Sequence, residues 1–266
     1  MPELPDVEIF KRMLSRRLLR KRIASVAVAD ARILDKLSRT TLRRRLSGRK
    51  VLSVRRHGKH LLSEIEGGGW LTLHFGMTGG LTFFKDPAEP PPYTRVRLDL
   101  VGGEHLAYTN KRMIGRVGLV GDASDFIARE NLGPDALDRR FDITAFRKAV
   151  AGARRDVKSV LMDQQIIAGI GNIYSDEILF QARIDPKTRI DQLDPPQLTR
   201  LYRTIGAVLK AAIARGAGSE KFTERLPKTA LLPVRKKGGR CPRCHHLLRL
   251  AKSGGRTSYF CAHCQH

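Results

Sequence analysis

Apolar residues near the start of the chain recur at intervals of three and four: Val7, Phe10, Leu14 and Leu18. This period predicts a helix that follows a short N-terminal arm, with Pro5 suited to its first turn and Asp6 and Glu8 opposing the helix dipole. The pattern then shortens. Segments 23–29, 51–54, 60–66, 70–75, 81–84, 95–100, 105–109 and 116–120 are brief, rich in β-branched and aromatic residues, and separated by Gly, Pro or charge. Such spacing predicts an antiparallel β-sandwich. From about residue 125 the period lengthens again, and segments 141–152, 159–170, 173–184 and 197–216 read as amphipathic helices with capping Asp or Ser and terminal Gly. The expected class is therefore α+β and multidomain. Its divisions are an N-terminal sandwich (1–125), a linker (126–140) centred on NLGPDAL, a helical domain (141–225), and a loop with a C-terminal hairpin (226–266).

Charge narrows the function. The 266 residues carry 50 Lys+Arg against 26 Asp+Glu, a net +24, which points first to nucleic acid. Positions 1–60 hold 18 basic and 5 acidic residues, and positions 225–266 hold 10 basic residues and no acid. Both ends are expected to face DNA. A solvated face is the ordinary alternative for any single charge run. No apolar run approaches the roughly 18 residues of a membrane span, and charge interrupts the first 20 positions, so a cytosolic chain without a membrane partner is expected. Nothing in the sequence requires more than a monomer.

All four cysteines lie at the C-terminal end, as Cys241-x2-Cys244 and Cys261-x2-Cys264 with 16 residues between the pairs. Two such knuckles joined by a hairpin-length segment predict one structural zinc held by four thiolates, with no open coordination position for catalysis. Disulfides are the other use of paired cysteines, disfavoured in a reducing compartment. His245, His246 and His263 are surplus to the four ligands. At the other end, removal of the initiator Met would leave Pro2 as a secondary amine with an ordinary pKa of about 7.7 to 8.0, partly neutral near pH 7 and able to attack an aldehyde-like carbon. Glu3 beside it could serve as acid or base.

Taken in order, PELPDVE, RRHGKHLL (55–62), HFGMTG (74–79), LGPDAL (132–137), LMDQQIIAGIGNIYSDEILFQARIDP (161–186) and the paired CxxC motifs resemble the formamidopyrimidine-DNA glycosylase and endonuclease VIII family. The PELP start resembles the formamidopyrimidine branch. The resemblance implies a bifunctional base-excision enzyme acting on damaged double-stranded DNA in a bacterial-type, nucleoid-associated cytoplasm. In that family the N-terminal proline displaces an oxidised base, such as formamidopyrimidine or 8-oxoguanine, through a Schiff base and then cleaves the strand by β,δ-elimination.

Carried over by position, the resemblance makes Pro2 the nucleophile, Glu3 the carboxylate that assists ring opening, and Lys59 a phosphate-contacting catalytic lysine. It makes 141–225 a helix-two-turn-helix domain whose GIGN turn presents Asn172 and backbone amides to the DNA, with Lys158 facing the DNA as well. Arg256 in the zinc hairpin would grip the phosphates beside the lesion. Met77, Arg112 and Ile114 would fill the space left by an extruded base, Ile114 standing where the family usually has Phe. Two further departures are Asp6, where that branch more often has Glu, and the stretch between Phe222 and Cys241, which is shorter and lacks a Tyr-Gly-Arg segment. Another lesion preference, such as oxidised pyrimidines or abasic sites, and a zinc-ribbon DNA-binding protein without catalysis are the alternatives.

Overall fold

A computed structural model describes residues 2–217 and 222–266. Met1 and residues 218–221 lie outside the described residues. The chain forms two compact units, one of Pro2 with Asp6–Glu130 and one of Glu3–Pro5 with Asn131–His266.

The first unit follows helix α1 (Leu4–Arg17) with β1 (Ile23–Val28), α2 (Arg39–Leu46), β2 (Val51–His57), β3 (His60–Ile65), β4 (Trp70–His74), β5 (Gly79–Phe84), β6 (Thr94–Leu100), β7 (His105–Asn110), β8 (Arg116–Val120) and α3 (Ala123–Arg129). The strands make two four-stranded antiparallel sheets, ordered β1-β6-β7-β5 and β2-β3-β4-β8. All eight strands sit where the alternation placed them. In β6 every second residue, Val96, Leu98 and Leu100, enters the core, as the two-residue period of a strand requires. There these residues join Val7 and Leu14 of α1 and Leu18 just after it. Each such side chain taken out of water contributes about 1.5–3 kcal/mol.

Two helices were not visible in the pattern. Helix α2 has only Leu42 and Leu46 on its apolar face amid six cationic or hydroxyl residues, and its start is fixed by Ser38, whose side chain accepts from the Thr41 N–H. Helix α3 is capped in the same way by Asp122, which accepts from Ser124 and Asp125.

Two histidines lie half-buried in this unit. The rings of His60 and His74, paired across β3 and β4, stand 4.9 Å apart, and His60 also meets the Phe126 ring edge-on at 5.3 Å. Burial, reinforced by neighbouring positive charge including Lys59 and Arg116, pushes His60 down to about 3 and His74 down to about 4. Both are neutral imidazoles in the folded chain.

The second unit contains α4 (Ile143–Val150), α5 (Val157–Met162), α6 (Asn172–Ala182), α7 (Pro195–Ala214) and the hairpin β9 (Arg249–Ser253) with β10 (Arg256–Phe260). The expected helix over 159–170 ends early, at Met162. The Gln164 side chain replaces helical bonds beyond that point, donating to Met162 O and Ile170 O and accepting from the Gly169 N–H. The result is a tight turn that leads directly into α6. Among the described residues no helix is long and apolar enough to cross a membrane.

At the hairpin base the four cysteine sulfurs lie within 4.8 Å of one another. Sulfur separations of 3.4 to 3.9 Å match the edge of about 3.8 Å in a tetrahedron with Zn–S bonds of about 2.3 Å. They exceed the roughly 2.0 Å of a disulfide. The donor set therefore fits a closed zinc site. Leu231, Leu248 and Phe180 pack against it, so the metal substitutes for a core that a 26-residue hairpin cannot supply.

Two outcomes follow from these features. Metal analysis should find about one zinc per chain, and its chelation should speed amide exchange across β9 and β10; a metal-free preparation with a protected hairpin would contradict the assignment. The two histidines stay neutral when folded but take up protons when unfolded. Stability should therefore be intact above about pH 6.5 and fall as pH drops towards 4, by up to about 1.4 kcal/mol per pH unit and histidine. Urea midpoints at pH 7.5 and 5 should show this loss in the natural chain and a smaller loss in His60→Phe.

Candidate active site and nucleic-acid interface

Pro2 is half-buried, and Glu3 next to it is fully buried. Glu3 belongs to the second unit, where its carboxylate caps helix α6. Oε2 accepts from the N–H groups of Gly171 at 2.8 Å and Tyr174 at 3.2 Å, and Oε1 accepts from Ile173 at 2.9 Å. These are amides that a helix start leaves without internal partners, and an anion there is favoured by the helix dipole. Leu4 adds a backbone bond to Gly169 O at 3.0 Å.

The glycines of GIGN are explained by this arm. Gly169 has φ 117°, and a β-carbon there would stand 2.8 Å from Leu4 Cβ. A β-carbon at Gly171 would collide with the Glu3 carboxylate. The amides of Gly171, Ile173 and Tyr174 in this turn bind Glu3. Asn172 opens the helix, its Oδ1 buried without a hydrogen-bond partner and its backbone oxygen accepting from Arg235 at 3.1 Å.

Lys158 is held inside the same unit. Expected to face DNA, its ammonium is fully buried, 2.7 Å from the Asp176 carboxylate, and donates to Thr257 O at 3.1 Å. Burial lowers its pKa while Asp176 opposes that shift. The physical reason is Asp176 itself: a carboxylate inside a helix buried on nearly every side must be paired. Asp176 also accepts from Arg235 Nε at 2.7 Å and from the Tyr259 N–H at 3.1 Å, and the Arg235 guanidinium lies over the Tyr259 ring. The backbone of β10 is thus held at 257 and 259, next to Arg256, which is exposed at the start of that strand. At the hairpin tip, Ser253 bonds Asp156, which also caps α5 through Ser159.

Lys59 sits in the first unit, largely buried, in the turn between β2 and β3. The preceding Arg56 pairs with Glu8 at 3.1 Å and donates to Gly58 O at 3.4 Å, which fixes that turn. Burial acts to raise the Glu8 pKa, but Arg56, Lys11 and Arg12 outweigh it and the net shift is downward.

Met77, Arg112 and Ile114 come together in the same unit, all exposed. They stand on two interlocked turns. The Arg112 N–H donates to Thr78 Oγ1 at 3.1 Å, the Arg112 guanidinium reaches Met77 Sδ at 3.3 Å, and the buried Asn110 side chain donates to Phe75 O at 3.0 Å. Gly76, at φ 56°, passes so close that a β-carbon would lie 2.6 Å from the Ile114 carbonyl. Apolar tips and a cation are thereby presented from a rigid base.

Reading the sequence missed Asp176, Arg235, Asn110 and Thr78. Asp176 carried a signal: two adjacent acids, Asp176 and Glu177, interrupt an otherwise apolar helix, so both need partners. Asn110 and Thr78 carried none, since nothing local marks a polar side chain that serves a distant turn.

Family models match almost the whole chain. The formamidopyrimidine-DNA glycosylase N-terminal domain covers residues 1–117, the H2TH domain of the same enzymes covers 132–224, and the zinc finger found in FPG and IleRS covers 238–266. With the four-cysteine geometry, the last match identifies one structural zinc. The formamidopyrimidine-DNA glycosylase of Moorella thermoacetica is 38% identical over 92% of both chains, and that of Yersinia enterocolitica is 34% identical over 100% of both. Among solved structures, the Lactococcus lactis enzyme non-covalently bound to AP-site DNA superposes with TM-score 0.89 at 28% identity over 99% of both chains. The same enzyme with FAPY-dG DNA gives 0.88 at 27% over 99% of both. Fold, motif order and full-length relatives agree, and the chain belongs to the formamidopyrimidine-DNA glycosylase family.

Proposed function

We propose that this chain is a base-excision DNA glycosylase that removes an oxidised purine from double-stranded DNA, with Pro2 as nucleophile, and then cleaves the strand. The observation that carries this reading is the Glu3 carboxylate, anchored by three backbone N–H groups one peptide bond from the terminal amine. An amine that must attack a sugar carbon needs a fixed neighbour that can pass a proton, and Glu3 is held in one place by α6.

The reaction begins with the neutral Pro2 nitrogen attacking C1′. The glycosidic bond breaks with its electron pair leaving on the base, which takes up a proton. Glu3 takes the N–H proton that Pro2 loses on attack, and the ring then opens as the C1′–O4′ pair goes to O4′, to which Glu3 passes that proton, leaving an iminium between Pro2 and C1′. Withdrawal of electrons by the iminium acidifies C2′–H; loss of that proton expels the 3′ phosphate, a second elimination expels the 5′ phosphate, and water releases the sugar remnant. Lys59, beside the same unit's wedge residues in function, binds a flanking phosphate. Met77, Arg112 and Ile114 occupy the space of the extruded base, since C1′ cannot be attacked within a stacked duplex. Arg256 and Asn172 hold backbone phosphates, and Arg suits that role through its paired donors. The zinc shapes the hairpin and takes no part in bond making.

On this reading residues 1–125 supply nucleophile and wedge, 126–140 link, 141–225 form the helix-two-turn-helix domain and 226–266 the hairpin. The enzyme works as a monomer at a bacterial nucleoid. Lesion choice is the one point where a second reading is favoured. The loop after Phe222 is pinned by Leu232 N–H to Glu177 at 2.9 Å and by Gln181 to Thr229 O at 3.0 Å. That leaves little chain to fold over a purine, and supports the same chemistry with oxidised pyrimidines or abasic sites among its substrates.

Borohydride should trap a covalent adduct on duplex DNA holding one abasic site. Pro2→Gly or a retained initiator Met should abolish it, and Glu3→Gln should slow it about 10²- to 10⁴-fold; undiminished trapping by Pro2→Gly would end the proposal. If about six phosphates are neutralised, affinity should fall about 10³-fold between 50 and 200 mM salt. Anisotropy titrations check this, and a flat response would contradict phosphate binding.

A further inference from the structure

We propose that Tyr93 is a stacking platform for an unpaired nucleobase, with Lys111 and Arg95, whose charges lie over its ring, as the phosphate-binding cations beside it. The inference rests on the DNA-repair reading above and adds a contact site to it. Tyr93 is 50% exposed, which is unusual for a large aromatic in a well-packed sandwich, and it stands at φ 62°. A side chain in the left-handed region is strained, so the surrounding structure must hold it there.

The restraints are visible. The Asn110 N–H donates to Tyr93 O at 3.0 Å, and Thr94 closes the preceding turn through Pro91 O at 2.6 Å. Arg95 Nε donates to Asn110 O at 2.9 Å. The Lys111 ammonium lies 5.5 Å and the Arg95 guanidinium 6.0 Å from the ring centre. Two of these bonds, those to Tyr93 O and from Arg95, meet at Asn110, the residue whose side chain also fixes the Met77 turn and whose chain runs on to Arg112 and Ile114. Ring and wedge therefore share one rigid base.

This chemistry selects the partner. A flat, exposed aromatic face flanked by cations matches a base with its own flat face and a phosphate on either side, and such stacking tolerates any base. Extruding one base leaves its former partner unpaired beside Met77, Arg112 and Ile114, which supplies a base of this kind.

The test uses the full-length, zinc-loaded protein and a duplex with a tetrahydrofuran abasic analogue opposite 2-aminopurine. Tyr93→Gly removes the ring yet accepts the backbone angle, so the fold is kept; Tyr93→Trp restores a flat face. Tyr93→Gly should weaken binding about 10-fold and leave the 2-aminopurine brighter than in the natural complex, while Tyr93→Trp should restore both. Lys111→Ala should lower the salt slope by about 0.9 with quenching kept. Equal affinity and equal quenching in Tyr93→Gly and the natural chain would overturn the platform, as would failure of Tyr93→Trp to restore them. Trapping through Pro2 is read separately in the same preparations, so a lost platform with an intact adduct leaves the enzyme reading standing, and a missing adduct in the natural chain removes that reading alone.

Discussion

The site depends on one carboxylate that ends a helix from outside it. Glu3 takes three amide N–H groups at the start of α6, a cap contributed from 168 residues away in sequence. A side-chain cap is worth about 1 kcal/mol to a helix, but removal of this one would also strand a buried carboxylate or three buried amides, at about 1–3 kcal/mol for each unsatisfied group. The position of Glu3 is thus set by α6. The two glycines of the turn matter because they let the arm approach, and their freedom from side chains serves the protein's own carboxylate.

The buried ions around Asp176 obey the same rule. One carboxylate there meets Lys158, Arg235 and a backbone N–H. Burying charge repays its desolvation only when geometry and hydrogen bonds are good, and removing one partner of such a set costs about 3–5 kcal/mol. What the set secures is placement: Lys158 holds Thr257 and Asp176 holds Tyr259, so the strand that carries Arg256 cannot slide on α6. A lysine that by position resembles one facing DNA holds, in this chain, the hairpin strand that carries Arg256.

The fold was legible in the sequence where a period of two or of 3.6 residues ran long enough, as in the eight strands and in α1, α6 and α7. Its failures are physical. In α2 two leucines among arginines gave too weak a stripe, and after Met162 an apolar run continued through a turn that only the Gln164 side chain organises. The cysteines stood out by type and spacing, whereas Pro2 and Glu3 were singled out only through the resemblance carried by the whole series of motifs. Residues that act through a partner did not stand out: Lys158 and Asp176 are an ordinary lysine and aspartate until tertiary packing brings them within 2.7 Å, and Asn110 earns its place only through turns that lie 35 residues apart.

The net charge of +24 can now be divided by what each cation does. Segment 225–266 has no acid of its own, yet Arg235 and Arg243 lie inward, the first on Asp176 and the second on Gln181, Phe180 O and the Phe180 ring. The helical region supplies the missing carboxylates, Asp156, Asp176 and Glu177. Arg249, Lys252 and Arg256 remain exposed along the hairpin, so the charge available to a polyanion there is smaller than composition alone implies but far better aimed. An acid-free hairpin with no zinc and no borrowed carboxylates would be driven apart by its own repulsion; with both, that repulsion is held in readiness for phosphate.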